Sequence, residues 1–200
     1  MLNESNKKRI IITEDQFKRL ILKESWEDEV YGDNETLILY HGTDYEGLNE
    51  IIRSGVIDAR EGRRTGETKG VNWFFVGEFK TNFSRGFSFS IEVPVEEFKK
   101  CGFNLMNEKE ATCYESIDIS KYNFKVVEAF DFKIDDLHRC FDICIERENG
   151  NIYEGYFRFY NLMKKHVPDI DIWSDDPLFL FILRQWGYDD EFIGGTLGLI

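Results

Sequence analysis

The 200-residue chain holds three histidines, and one of them, His41, stands behind the apolar run "LILY" and ahead of Gly42 and Thr43. Three roles are open to it: a buried structural side chain, a metal ligand, or a hydrogen-bonding group at the mouth of a pocket. Gly42 has no Cβ, so a ligand can approach its backbone closely, and Thr43 adds a hydroxyl. The four cysteines, Cys101, Cys113, Cys140 and Cys144, form no CxxC pair. Cys140 and Cys144 fall on one face of an expected helix with His138 near its start. A zinc site would need a fourth ligand and closer spacing, so the favoured reading is small buried thiols in a reducing compartment. A third group is basic. "REGRRTGETKG" carries Arg60, Arg63 and Arg64 in an otherwise acidic chain, and guanidinium forks match phosphate oxygens. The alternative there is a solvated loop whose glycines make turns.

Composition bounds what these groups can serve. Apolar residues make up 42% and aromatics 16% of the chain, with eighteen Phe, enough for one folded domain with a sizeable core. The net charge of −13 disfavours a nucleic-acid partner, because a polyanion is repelled unless one face gathers the cations. A small anionic ligand on a local basic patch remains compatible. No apolar run approaches the length of a membrane span. The N-terminus "MLNESNKKRI" lacks a signal-peptide core. These features together point to a cytoplasmic protein with no membrane partner.

Elements must position the reactive groups. Thr13 and Gln16 form a capping box ahead of an amphipathic helix carrying Phe17, Leu20 and Ile21, and Ile12 and Phe17 can form a hydrophobic staple. This helix either packs on the main domain, the favoured reading, or serves as a docking handle for a partner. An acidic, turn-rich linker follows. "LILYHG" reads as a short buried strand, "YEGLNEIIRSG" as a helix closed by Gly55, and "VIDAR" as a strand. "VNWFFV" is an aromatic strand, "EFKTNFSRG" a short helix, "FSFSIEVP" a strand stopped by proline, and "VEEFKKCG" a helical turn. "ATCYESIDI" and "FKVVEAFDF" are two further strands. Three helices follow: "IDDLHRCFDICIERENG", ending near Gly150; "YEGYFRFYNLMKKHVP", stopped by Pro168; and "SDDPLFLFILRQWG", with Ser174 or Asp175 near its cap and Gly187 as its terminator. The tail "YDDEFIGGTLGLI" is too glycine-rich to read as a helix. Many short strands with brief helices argue α+β. The expected division is an N-terminal helix and linker over 1–30, a core over 31–133, and a helical C-terminal part over 134–200 packed on that core.

Within that core, "LYHGT" followed by a helix and a glycine resembles the first block of ADP-ribosyltransferases of the His-Tyr-Glu type, the diphtheria-toxin and poly(ADP-ribose)-polymerase branch with many bacterial and phage members. "VNWFFVGEFKTNFS" resembles the second block, an aromatic strand and small helix that sandwich nicotinamide. Trp73 takes the strand tyrosine position, with Phe74 as the substitute, and Phe83 takes the helical one; flat π-faces suit ring stacking. "EATCYESIDI" resembles the third, a strand led by a glutamate, which makes Glu110 the candidate and Glu115 the second choice. The resemblance covers about residues 37–132.

The resemblance implies split antiparallel sheets with short helices, NAD as substrate, and transfer of ADP-ribose to a macromolecule, with protein favoured as the target. It implies that His41 bonds a ribose of NAD and that the Gly42 backbone holds the nicotinamide amide, with Thr43 beside them. Arg60 and Arg64 would meet the pyrophosphate. Glu110 would support the positive charge that grows at the ribose carbon as nicotinamide leaves. The setting would be the cytoplasm of a bacterium or of a phage-infected host, with a toxin-like activity. Two alternatives stand beside it. One is a catalytically inactive member of the fold acting as a binding or virion-associated module, suggested by tryptophan in place of the strand tyrosine. The other is an RNA 2′-phosphotransferase-like enzyme, whose block favours arginine where this chain has Tyr40.

Overall fold

Two strands form the centre of the molecule. β1 (Thr36–Thr43) and β4 (Phe87–Pro94) pair antiparallel along their full lengths, from Thr36 opposite Pro94 to Thr43 opposite Phe87. Alternation explains the β4 sequence "FSFS". Phe87, Phe89, Ile91 and Val93 are buried on one face, while Ser88 and Ser90 are small enough to be buried on the other. The computed structural model describes residues 13, 30–32, 34–58, 72–77, 86–100, 102–166 and 176–197. The N-terminal helix beyond Thr13, the basic loop over 60–70 and the short helix over 78–86 (Gly86 apart) were expectations that lie outside these residues.

β1 leads into α1 (Tyr45–Ser54), capped by Asp44, whose carboxylate accepts from the Gly47 N–H at 2.9 Å. Gly55 ends the helix in the left-handed region (φ 73°), as its place in the sequence predicts. β2 (Val56–Ile57), β3 (Asn72–Val76), the short helix α2 (Val95–Phe98) and β5 (Phe103–Asn107) follow. β6 (Glu110–Cys113), β7 (Ile117–Asp118), β8 (Asn123–Ala129) and β9 (Phe132–Lys133) complete the strands among the described residues. Seven of them form one antiparallel sheet in the order β5-β6-β3-β1-β4-β8-β9, and β2 pairs with β7 in a separate two-stranded sheet. The fold is α+β.

Three expectations about strands change. "ATCYESIDI" is not one strand: β6 stops at Cys113, and β7 turns away to pair with β2. "FKVVEAFDF" folds back on itself, because Phe130 and Asp131 take positive φ (57° and 64°) and make β8 and β9 a hairpin. β5 has no counterpart in the sequence reading, although Phe103 and Leu105 alternate inward against outward Asn104 and Met106.

The helical part contains α3 (Ile134–Arg147), α4 (Ile152–His166) and α5 (Pro177–Gln185). The cap of α5 is Asp176, the residue after Asp175. Its carboxylate accepts from the Leu178 and Phe179 N–H groups at 2.9 and 3.2 Å, ahead of Pro177 in the first turn. The glycine-rich tail, expected to be non-helical, forms a π-helical turn over Phe192–Thr196. Aromatic contacts join the helices to the sheet: Phe89 meets Phe124 at 5.0 Å, and Phe124 meets Phe181 of α5 at 5.5 Å. One buried cluster contains Leu39, Phe89 and Ile91 from the sheet and Phe141, Phe159 and Leu183 from the helices. Cys140 and Cys144 lie one turn apart on α3, both as free thiols. Among the described residues no helix is long and apolar enough to cross a membrane.

Candidate functional site

The sheet brings the three sequence blocks onto adjacent strands. β1 carries His41–Thr43, β3 carries Trp73 and Phe74, and β6 begins with Glu110; their order across the sheet is β6-β3-β1. Phe75 stands opposite Tyr40 on one side and opposite Glu110 on the other. Two strand spacings therefore separate Glu110 from Tyr40, about 10 Å along the sheet.

The ladder between β1 and β3 is short. It contains only Leu39 opposite Val76 and Tyr40 opposite Phe75. Beyond Tyr40, β1 remains paired with β4 as far as Thr43, and β3 remains paired with β6 as far as Asn72. Each strand keeps its outer neighbour while the ladder between the two stops after Tyr40, which leaves a local split within the one sheet, across which the His41 and Phe74 rings still meet. The edge facing this split is set by hydrogen bonding. The Ile38 carbonyl accepts from the Gly77 N–H at 3.0 Å, so Ile38 turns its backbone polar groups toward β3. Every second residue of an antiparallel strand does the same, which turns the Gly42 N–H and C=O toward the split as well.

His41 is half-buried. Its ring lies 5.6 Å from that of Phe74 and 5.3 Å from that of Phe89, so the sheet packs it on the same face as these two. Phe74 is 1% exposed and also meets Phe103. It is a core residue that offers no open ring face to a ligand, which corrects its reading as a stacking substitute for Trp73. Trp73 lies in β3 with its Cα opposite Thr112. Arg60, Arg63, Arg64 and Phe83 are outside the described residues.

Glu110 is half-buried at the start of β6, and the preceding turn orients it. The Asn107 Nδ2 donates to Glu110 Oε2 at 2.9 Å, and Asn107 Oδ1 accepts from the Lys109 N–H at 2.8 Å. The Lys109 carbonyl in turn accepts from the Val76 N–H at 2.9 Å, which fastens the turn to β3. Glu115 is exposed beyond the other end of β6, close to Gly102. Of the two glutamates, only Glu110 belongs to the strand row that reaches β1. Alternation puts His41 and Glu110 on opposite faces of the sheet, since Glu110 pairs with Phe75 and His41 lies with Phe74. A ligand touching both must pass through the split.

Sequence reasoning missed three supports. Asn107 was legible as part of the turn "NEKE" between alternating segments. Gly47 leaves room beside Thr43: a Cβ there would lie 2.4 Å from Thr43 Oγ1 and 3.0 Å from Asp44 Oδ1. Tyr45 donates a hydrogen bond to Asp176 Oδ2 and accepts one from Asn49 Nδ2 at 3.3 Å. Burial, and then the Asp176 carboxylate, push the Tyr45 hydroxyl well above the ordinary tyrosine pKa. No local pattern in the sequence links Tyr45 to a residue 131 positions away. Among the described residues no group of three or more His, Cys, Asp or Glu could hold a metal ion.

Comparison with family models, with curated proteins and with solved structures gave no match.

Proposed function

We propose that this protein is an NAD-dependent mono-ADP-ribosyltransferase acting on a macromolecular target, with protein as the favoured class. The observation that carries the reading is the split between β1 and β3, which opens at His41 and toward which the Gly42 peptide groups turn. His41 offers donor and acceptor capacity for a ribose hydroxyl. The Gly42 N–H and C=O offer the complementary pair that a carboxamide needs. Glu110, held by Asn107, provides a carboxylate for the positive charge that develops at the ribose carbon. Nicotinamide departs with the bonding electron pair, and a nucleophile of the target forms the new bond to that carbon and gives up its proton. The net charge of −13 suits a target with a basic surface.

The test is to incubate wild-type protein, Glu110→Gln and His41→Ala with labelled NAD and a bacterial lysate. Label should pass to protein with the wild type, and fall about 100-fold or more with Glu110→Gln, the scale of losing one preorganised electrostatic group. Equal labelling by all three sinks the catalytic assignment. The placement of His41 and Glu110 on opposite faces favours one second reading, a binding module of the same fold. NAD binding by calorimetry with no transfer of label would select it.

A further inference from the structure

Asn72 opens β3 at the point where that strand has lost its ladder to β1, and it still pairs with Cys113 of β6 on its other side. Continuing the β1–β3 register places it across the split from Thr43. Alternation puts its side chain on the same face as Phe74, the face where Phe74 meets the His41 ring. It is 7% exposed, and its Nδ2 has no hydrogen-bond partner. A buried amide donor left unpaired is destabilising, and native chains leave few such groups. An apolar side chain would avoid that cost. A polar group kept at this position, unsatisfied and beside the gap, fits a donor whose acceptor arrives with a ligand.

We propose that Asn72 is a ligand-binding residue whose Nδ2 donates a hydrogen bond to an oxygen acceptor on the nicotinamide–ribose end of NAD in the split between β1 and β3. The assignment rests on the NAD reading above and adds a residue to it. Thr43 and the Gly42 peptide supply polar groups from one side of the split, and Asn72 supplies a donor from the other. Asn72→Asp replaces the Nδ2 donor by an acceptor and so cannot substitute for it.

Calorimetric titration of the full chain with NAD and with AMP, alongside thermal melting without ligand, tests this for the wild type, Asn72→Leu and Asn72→Asp. Asn72→Leu should bind NAD about five- to tenfold more weakly, the loss expected for one neutral hydrogen bond. It should bind AMP, which lacks that end, as the wild type does, and a single cooperative melting transition should show that it is folded. Asn72→Asp should lose at least as much NAD affinity. Equal NAD affinity for wild type and Asn72→Leu overturns the assignment and leaves the NAD reading standing. A matching loss with AMP also overturns it, because the amide would then have a structural role. A wild type that releases no heat with NAD overturns the NAD reading and the role of Asn72 with it.

Discussion

Tyr156 carries a hydroxyl into the helical layer, where it is 1% exposed and finds no partner. Tyr156→Phe removes that unsatisfied group without changing the ring, and should stabilise the protein by about 1 kcal/mol in urea unfolding. A lower urea midpoint would mean that the hydroxyl is bonded after all. The same residue shapes the alkaline limb of stability. Burial, then Tyr160, raises its pKa from 10.0 to about 12, and burial, then Cys140, raises that of Cys144 from 9.0 to about 11. In both cases the folded chain holds a proton that the unfolded chain releases. Their contribution is therefore complete below the unfolded values and is lost as pH climbs through the folded ones. The urea midpoint should fall from about pH 9 upward, and less steeply above pH 10 in Tyr156→Phe. At the candidate site, Asn107 acts through Glu110. Asn107→Ala should lower transfer from NAD by about tenfold, in kcat and not in KM, while leaving the urea midpoint near that of wild type, since Asn107 is exposed.

At the scale of elements, the α3–α4 pair depends on one glycine. A Cβ on Gly155 would lie 2.6 Å from Ile145 Cα and 2.9 Å from its backbone nitrogen, so α4 crosses α3 in backbone contact. Alanine inside a helix normally adds about 1 kcal/mol over glycine. Here that gain should be reversed, with Gly155→Ala losing about 1–3 kcal/mol in urea unfolding because the two helices must move apart. An unchanged or raised midpoint would mean that the crossing is loose. Elements of this kind were legible where local chemistry settles them: Gly55 closes α1 where its place in the sequence predicts. The breaks were not. β6 ends at Cys113 because β7 finds its partner in β2, some sixty residues earlier in the chain, and periodicity carries no information about pairing. The candidate site was legible as three blocks in order. The end of the β1–β3 ladder after Tyr40 was not, because the end of a ladder is a property of two strands together.

At the scale of the whole molecule, the helix that follows the His41 strand is tied to the C-terminal helices. Tyr45, two residues after Thr43, donates to one oxygen of Asp176, whose other oxygen caps α5, and Asp176 is 8% exposed. One carboxylate thus serves two elements from opposite ends of the chain. Tyr45→Phe leaves a buried carboxylate oxygen without its donor and should cost about 1–3 kcal/mol. Asp176→Ala removes the helix cap and also strands the Tyr45 hydroxyl, so it should cost more, about 2–4 kcal/mol. The double variant should cost little more than Asp176→Ala alone, since the two side chains share the bond that is lost. Because one buried cluster runs from the sheet through α3, α4 and α5, the helices have no separate core on which to remain folded. Far-ultraviolet circular dichroism and tryptophan fluorescence should therefore follow a single urea transition in the wild type and in all three variants. Helical signal surviving after fluorescence has changed would show that the C-terminal helices stand alone, and the tie between Tyr45 and Asp176 would then join two independent units.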